Sequence, residues 1–286
     1  MTATTETATA AASGANATAH FQADKSPYDA VKDVPQERVD TLAREVLDAI
    51  HATIRKHNVT YDEFNALKAW LIQVGLDGEW PLFLDVFIEH VVEEVATSHR
   101  QGSKGTIEGP YYVPDAPELG VGATIPQRPD EGGTPLIWQG TITSTVGRPL
   151  ADAKVELWHA DNDGYYSQFA PGIPEWNLRG SFAVDADGRF RIRTIQPAPY
   201  QIPTDGSTGK LIRAAGWHAW RPAHLHVKVS APGHELLTAQ LYFPGDPHND
   251  DDIAAAVKSE LMLDPVPQAD GSIQVNYDFV LDPASD

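Results

Sequence analysis

The stretch Arg221-Pro-Ala-His-Leu-His-Val-Lys-Val-Ser230 has the alternation of a β-strand and carries two histidines two positions apart. Side chains two apart on a strand share a face, so His224 and His226 lie together while Val227 and Val229 face the opposite way. The chain of 286 residues contains no cysteine. The pattern therefore favours a metal site with nitrogen and oxygen ligands, although His-x-His also occurs on ordinary half-exposed strands.

Short β-rich runs separated by glycine and proline turn signals continue from residue 103 to the end of the chain. The predicted strands cover residues 136–145, 154–159, 189–195, 224–231, 236–243 and 272–281. The dipeptide Asp187-Gly188 predicts a hairpin turn, and one helix is predicted at residues 251–263. The acidic run at residues 249–252 lacks the spacing of a calcium loop and is predicted to compensate the N-terminal charge of that helix.

Before residue 102 the apolar residues follow helical spacing, which predicts helices at residues 35–58, after Thr60 with Glu63 as its capping-box partner, and at residues 79–99. The third of these is apolar around much of its circumference, so a second copy of the chain could cover it. We therefore predict an α+β protein. A helical dimerisation or linker domain at residues 25–102 precedes an antiparallel β-sandwich domain at residues 103–286.

Composition excludes several classes of protein. Lys and Arg total 21 against 40 for Asp and Glu, and the formal charge of −19 disfavours nucleic acid and anionic membranes as partners. Without cysteine there are no disulfides, thiolate zinc sites or iron-sulfur clusters, which is typical of a cytoplasmic protein. No apolar run is long enough for membrane insertion. Residues 1–24 lack the basic and apolar regions of a targeting signal and are interpreted as a disordered leader.

Tyrosines occur at two loops that follow predicted strands. Tyr165 and Tyr166 lie in one loop, and Tyr200 ends a run that two prolines stiffen. Two phenolates with two imidazoles would favour a trivalent ion such as Fe(III) over zinc or magnesium. A tyrosine taken alone is more often a core residue, so the hypothesis depends on the whole set.

Several motifs, in this order and at this spacing, resemble the intradiol ring-cleavage dioxygenases, most of all catechol 1,2-dioxygenases of the actinobacterial type. The motifs are Ile107-Glu-Gly-Pro-Tyr-Tyr-Val-Pro114, Trp158-His-Ala160, Gly164-x-Tyr166-Ser167, Glu175-Trp-Asn-Leu-Arg-Gly180, Pro197-x-x-Tyr200, Arg221-Pro-Ala-His-x-His226 and Leu237-Thr-Ala-Gln-Leu-Tyr-Phe243. The resemblance covers residues 35–283.

The resemblance implies that dioxygen cleaves catechol to cis,cis-muconate, a step of aromatic-compound degradation in the β-ketoadipate pathway, at one non-haem Fe(III) per subunit. The implied metal ligands are Tyr166, Tyr200, His224 and His226. Tyr200 would also leave the iron and take a proton from the substrate. Arg221 and Gln240 would stabilise negative charge on the ring. Tyr165 would be a neighbour of the ligands and not one of them.

The resemblance also implies a substrate pocket and a partner. The implied pocket residues are Leu76, Asp77, Ile107, Pro110, Tyr111, Ile253 and Ala254. Tyr111 stands where some family members have leucine, which leaves the tolerance of substituted rings open. The implied partner is a second copy, joined through the N-terminal helices with phospholipid in the interface.

Two alternatives stay open. The same iron site could serve a chlorocatechol or hydroxyquinol 1,2-dioxygenase, or the chain could be a non-catalytic ligand-binding β-sandwich without iron. The remaining histidines, including His218 and His248, are predicted to be solvated or capped, and His159 is predicted to be structural.

Overall fold

The computed structural model describes residues 34–284, so the predicted leader at residues 1–24 lies outside the described residues. Within them, the N-terminal part forms four helices. These are α1 (Gln36–His57), α2 (Tyr61–Asp77), α3 (Trp80–Phe87) and α4 (Glu89–Ala96). The predicted capping box opens α2, because the Thr60 hydroxyl accepts the Glu63 amide hydrogen and the Glu63 carboxylate accepts the Thr60 amide hydrogen. Both amides would otherwise lack partners at the helix start.

The single helix predicted at residues 79–99 is wrong, because the chain leaves helical geometry at Ile88 (φ −129°, ψ −36°) between α3 and α4. The break turns α4 onto the β-rich part of the chain. There the Glu89 carboxylate accepts the amide hydrogens of Glu108 and Gly109, and Glu93 forms a salt bridge with Lys258. These tertiary contacts override the continuous apolar pattern of the sequence.

The strands of the described residues form two five-stranded sheets and one two-stranded sheet. The first sheet has the order β1-β4-β3-β8-β9, and in the second β10-β11-β2-β12 is extended by β5, which pairs with β2. The strands are β1 (Glu118–Leu119), β2 (Pro135–Ser144), β3 (Lys154–Trp158), β4 (Arg179–Ala183), β5 (Arg189–Ile195), β6 (Tyr200–Gln201), β7 (Trp220–Arg221), β8 (His224–Ser230), β9 (Leu237–Tyr242), β10 (Val266–Pro267), β11 (Ile273–Asn276) and β12 (Phe279–Leu281).

One buried apolar cluster joins the inner faces of the two large sheets. Leu225 and Val227 of β8 contribute from the first sheet, and Trp138, Phe190 and Phe279 contribute from the second. Alternate residues of β8 are therefore committed to the core, which leaves the two histidines on the outer face of the first sheet. The predicted α+β class, with helices before a β-sandwich, is confirmed. The pairing is mostly antiparallel, with parallel pairs of β1 with β4 and of β2 with both β11 and β12.

Two predicted β-elements differ in the structure. The strand predicted at residues 272–281 is divided into β11 and β12, because the Asp278 carboxylate accepts the Thr141 amide hydrogen and the Tyr277 carbonyl approaches Gly140 where a Cβ would lie. The turn at Asp187-Gly188 does form, but it connects β4 of one sheet to β5 of the other and so makes no hairpin.

The helix predicted at residues 251–263 is wrong. The segment is a loop with one 3₁₀ turn (Ser259–Leu261), and Ala255 has a φ of +48° that an α-helix cannot contain. The Asp252 carboxylate accepts the amide hydrogens of Ala254 and Ala256, so side-chain bonds replace the helical ones.

A helix that the sequence analysis did not identify, α5 (Ser207–Ala215), joins the helical part to the β-rich part. The Trp70 indole donates to the Ser207 carbonyl, and the Glu79 carboxylate accepts the Thr208 amide hydrogen. No helix in residues 34–284 combines the length and apolar character needed to cross a membrane. The domain boundary near residue 102 stays a prediction.

Candidate active site

The outer face of the first sheet carries a row of four side chains on four adjacent strands. Arg179 of β4 lies opposite Trp158 of β3, Trp158 opposite His226 of β8, and His226 opposite Gln240 of β9. Residues paired across strands point to the same face, so the row is a continuous surface. His226 stacks on Trp158, with ring centroids 4.8 Å apart. The sheet thus fixes the orientation of His226 from both sides.

The two histidines of β8 direct the same nitrogen to one point, since their Nε2 atoms lie 3.0 Å apart. His224 Nδ1 donates to the Pro222 carbonyl at 2.7 Å, and because a carbonyl can only accept, the Nε2 of the neutral ring keeps its lone pair. Burial, followed by the charge of Arg221, lowers the pKa of His224 to about 3. Burial and His224 lower the pKa of His226 as well. Both rings are neutral imidazoles, the form that binds metals.

Tyr166 reaches this point from the loop after β3, and two features shape that loop. The Asp161 carboxylate accepts the amide hydrogens of Asp163 and Tyr165, closing the turn. Gly164 has a φ of +86°, and a Cβ there would lie 2.9 Å from the Cβ of Tyr200. As a result Tyr165 is 58% exposed whereas Tyr166 is 3% exposed.

Tyr200 enters from β6, where it lies opposite Arg221 of β7. Its ring centroid is 5.3 Å from that of Tyr166 and 5.6 Å from that of His224, and Tyr166 is 5.9 Å from His226. The structure therefore brings together the four side chains proposed as ligands, although they come from three separate segments of the chain.

The four side chains have the chemistry of a metal site. Burial, and then the neighbouring Tyr200, raises the pKa of Tyr166 well above its ordinary value. His226 Nδ1 is buried without a hydrogen-bond partner among residues 34–284, and the buried Tyr166 hydroxyl has no partner there other than the Tyr200 hydroxyl. A hard cation beside the Tyr166 oxygen would satisfy it and favour its anionic form. Two phenolic oxygens and two neutral imidazoles thus fit Fe(III) as a bound ion.

Arg221 is a buried cation at the edge of this cluster. Its guanidinium donates to both carboxylate oxygens of Asp252 at 3.0 Å and to Gln240 Oε1 at 2.8 Å, and it lies 3.3 Å from His224 Nε2. Gln240 also accepts from the Tyr242 hydroxyl at 2.7 Å, while its Nε2 donates to the Ile107 carbonyl at 3.0 Å. Arg221 is therefore held rigidly, and the bonds that Gln240 makes hold Arg221 in place.

Asp252 is the functional residue that the sequence analysis missed. We interpreted residues 249–252 as charge compensation for a helix, but that helix is absent and Asp252 forms a buried ion pair. Burial favours the protonated acid, yet Arg221 holds the pKa of Asp252 below its ordinary value. The sequence could have pointed to Asp252, because an arginine predicted to lie in a buried site needs a negatively charged partner.

The implied pocket residues fall into two groups. Ile107, Tyr111 and Ala254 are buried in the same apolar cluster as Tyr166 and Tyr200, and Ile253 packs against it. The ring of Tyr111 stacks on Tyr166 with a centroid separation of 4.3 Å. Ile253 and Ala254 lie in a loop, since the helix proposed to carry them is absent.

The other three implied pocket residues are not members of that cluster. Pro110 is half-buried beside Tyr111, and Leu76 at the end of α2 is 74% exposed. The Asp77 carboxylate accepts from Gln73 and from the Ser207 hydroxyl. Within the described chain, Asp77 therefore connects α2 to α5.

A second group of polar side chains lies nearby at the surface. His218, His248 and Asp251 have ligand atoms within 4.8 Å of one another, whereas the sequence analysis predicted each histidine to be solvated or capped. The Trp220 amide hydrogen bonds to His218 Nδ1, so the neutral His218 ring carries its proton on Nε2, which faces Asp251. These bonds explain the group without a cation.

We expect Asp252→Asn to weaken both the fold and the activity. Breaking a buried ion pair leaves the Arg221 charge uncompensated and should lower the free energy of unfolding by about 3 kcal/mol. Because Arg221 would lose its orientation, kcat/KM should fall roughly 10- to 100-fold, as for other residues that support a site. Denaturant unfolding and steady-state kinetics measure the two effects. Asp251→Asn, on the half-exposed neighbour, is the matched control, and an equal loss there would contradict the assignment.

Two family profiles match this chain. The family profile described as "Dioxygenase" matches residues 107–283, and that described as "Catechol dioxygenase N terminus" matches residues 36–104. Chlorocatechol 1,2-dioxygenase of Rhodococcus opacus is 40% identical over 251 residues, covering 85% of this chain and 97% of the relative. Catechol 1,2-dioxygenase of Acinetobacter baylyi is 39% identical over 244 residues, covering 82% of this chain and 78% of the relative.

Solved structures support the same relationship. The crystal structure of 3-chlorocatechol 1,2-dioxygenase from Rhodococcus opacus 1CP aligns with a TM-score of 0.85 at 45% sequence identity, covering 87% of this chain and 100% of that chain. The resemblance read from the sequence motifs is thereby confirmed. With matching profiles over both parts, and relatives above 30% identity along most of its length, the chain belongs to the intradiol ring-cleavage dioxygenase family.

Proposed function

We propose that this enzyme uses dioxygen to cleave the ring of catechol between its two hydroxyl-bearing carbons, giving cis,cis-muconate. One observation carries the proposal: two neutral imidazoles and two buried tyrosines converge on one point beside the buried Arg221. The reaction adds both atoms of dioxygen to the product, so no external reductant is needed.

We propose Fe(III) as the cofactor, held by Tyr166, Tyr200, His224 and His226. When bound, the ion draws electron density from a coordinated catechol and so makes the ring reactive toward dioxygen. Nitrogen ligands that are neutral and oxygen ligands that become anionic balance the charge of a trivalent ion better than that of a divalent one.

The other roles in the reaction are proton transfer, charge stabilisation and positioning, and each belongs to particular side chains of the site. Tyr200 is the base that takes a proton from a catechol hydroxyl, since it lies at the junction of the tyrosine pair and Arg221. Arg221 stabilises negative charge that develops on the ring. Asp252 and Gln240 act through Arg221 as positioning residues, because both bind its guanidinium.

A chlorocatechol is the second candidate substrate, because chlorocatechol 1,2-dioxygenases are similar to this chain over nearly their full length. Hydroxyquinol stays as a third possibility for the same site. Ratios of kcat/KM for catechol, 3-chlorocatechol, 4-chlorocatechol and hydroxyquinol separate these substrates. The buried Tyr111 beside the proposed ligands is the side chain that a ring substituent would meet.

Product analysis tests the reaction itself. Under ¹⁸O₂, catechol should give muconate that carries two labelled oxygens, with one dioxygen consumed per ring. Cleavage beside the hydroxyls, which gives a semialdehyde, would contradict the proposal. Absence of any turnover in iron-loaded protein would favour the non-catalytic β-sandwich.

We also propose a homodimer through the N-terminal helices. None of the residues of α1 is buried within the described chain. The exposed apolar side chains on α1 and α2 include Val39, Leu42, Val46, Leu47, Ile50, Ile54, Phe64, Leu67, Leu71 and Ile72. A surface of this size and character needs a partner, and a second copy together with phospholipid would cover it. Mass spectrometry of a solvent extract tests for the lipid.

The double substitution Val46→Glu/Ile50→Glu should convert the dimer to a monomer. The two positions lie one helical turn apart on the same face of α1. Burying two unpaired carboxylates costs several kcal/mol, which corresponds to a dimer dissociation constant raised by at least about 100-fold. Light scattering after size exclusion measures the mass. Val146→Glu, on a turn of the β-rich part where Val146 is 86% exposed, is the control. A variant that stays dimeric would contradict this interface.

A further inference from the structure

Arg179 is the second buried arginine of the site, at the opposite end of the four-strand row from Gln240. It is 1% exposed. Its Nε donates to the Ser167 hydroxyl at 2.8 Å, and its terminal nitrogens donate to the carbonyls of Tyr111 at 2.7 Å and Ser167 at 3.0 Å. All three acceptors are neutral oxygens.

The charge of Arg179 differs in this respect from that of Arg221. Arg221 forms a salt bridge with Asp252, whereas no carboxylate among residues 34–284 forms a salt bridge with Arg179. A guanidinium keeps its charge at neutral pH, and burying a charge without a counter-charge is costly. We therefore expect a group next to Arg179 to become negatively charged when the site binds its metal ion.

Tyr166 is a group beside Arg179 that can become negative. The guanidinium carbon lies 6.0 Å from the centre of the Tyr166 ring and 5.7 Å from that of Phe169, distances at which a cation and an aromatic ring attract each other. The strand that carries His226 is two strand spacings from β4, with Trp158 on the strand between them, and each spacing is about 4.8 Å. The positive charge thus lies within cation–π distance of the Tyr166 ring, whereas the strand of the histidine pair lies beyond an intervening strand.

We propose that Arg179 is a positioning residue that holds the Tyr166 loop and Tyr111 together and supplies the positive charge that stabilises Tyr166 as an anionic metal ligand. This inference rests on the proposed function, since it concerns Tyr166 as an iron ligand. Two consequences follow from the two parts of the role. The positive charge of Arg179 lowers the energy of the Tyr166 phenolate electrons. The planar guanidinium fixes the position of the loop that carries Tyr111.

The positive charge of Arg179 should affect the visible absorption spectrum of the iron-loaded protein. A positive charge nearer to the phenolate than to the metal lowers the energy of the phenolate electrons, so the tyrosinate-to-Fe(III) absorption needs more energy. Arg179→Gln, which is neutral and can still donate a hydrogen bond, should shift this band of the iron-loaded protein to longer wavelength. Arg179→Lys keeps the charge and should leave the band near its wild-type position.

The planar guanidinium of Arg179 should affect the steady-state kinetics. Lysine cannot donate to the Ser167 hydroxyl and to two carbonyls in one plane, so the Tyr111 loop loses an anchor in both variants. Both should raise KM for catechol, and kcat/KM should fall by about 10- to 100-fold because the substrate is misplaced. Arg191→Gln on β5 of the other sheet makes the same chemical change away from the site and should alter neither the band nor KM.

The wild-type spectrum distinguishes failure of the proposed function from failure of the proposed role of Arg179. If iron-loaded wild-type protein shows no tyrosinate band, the proposed function fails. If the wild type shows the band and Arg179→Gln leaves it in place, only the role of Arg179 is overturned. A shift in Arg179→Lys as large as that in Arg179→Gln also overturns the charge effect. If Arg179→Gln does not fold, Arg179→Lys still decides the positioning role, since wild-type KM and kcat/KM in that variant would contradict it.

Discussion

A His226→Ala variant is expected to purify without iron and without dioxygenase activity. The imidazole of His226 is 0% exposed and lies between Trp158 and Gln240 of the neighbouring strands, so its removal leaves the site one nitrogen short. Loss of a direct ligand should reduce iron affinity by more than the roughly 10- to 100-fold that loss of an outer partner costs. Elemental analysis and oxygen uptake measure iron and turnover.

The control for this experiment is His234→Ala, because His234 is a histidine of an exposed loop whose Nδ1 bonds only to the Pro232 carbonyl among the described residues. It should keep full iron content and activity. The unfolding temperature of both variants shows whether the fold survives. A His226→Ala protein with wild-type iron content and turnover would show that β8 does not anchor the metal.

Tyr200→Phe should have the second largest effect, with a different signature. It removes one oxygen but keeps the ring that lies 5.6 Å from His224, so the site should keep its shape and iron should stay bound by the other three ligands. Without the base, we expect kcat to fall by about 10²- to 10⁴-fold. Single-turnover kinetics under oxygen measure the loss.

Tyr165→Phe is the matched control, since the same oxygen is removed from a tyrosine that is 58% exposed and precedes Tyr166 in the chain. Its activity should equal that of the wild type. Near-normal kcat in Tyr200→Phe would rule out Tyr200 as the base, and loss of iron would make it an anchor of the metal instead.

The sequence predicted the elements whose signal is local. The alternation in residues 224–230 is enough to place His224 and His226 on one face, because the other face is committed to the core. Thr60 and Glu63 likewise define the start of α2 without any tertiary contact. That Tyr166 and Tyr200 join the histidines came from family resemblance and not from spacing, since β6 and the loop after β3 meet only in the folded chain.

Tertiary contacts decided the elements that the sequence did not predict. Residues 251–263 contain good helix formers, but Asp252 is drawn to Arg221 and its carboxylate then binds the loop amides. The strand β4 lacks the β-branched residues that mark a strand, so it was not predicted, and the place of Arg179 in the row is seen only in the structure. Partners of buried charges lie far apart in the sequence, and only the fold shows them.

We propose that Tyr166, Tyr200, His224 and His226 hold Fe(III) where catechol binds. The most direct test of this proposal is the visible absorption spectrum of iron-loaded protein, recorded before and after catechol is added without oxygen. We expect a tyrosinate-to-Fe(III) band that moves to longer wavelength when catechol binds. Protein that stays colourless after iron supplementation would contradict the metal site and bring forward the non-catalytic binding protein.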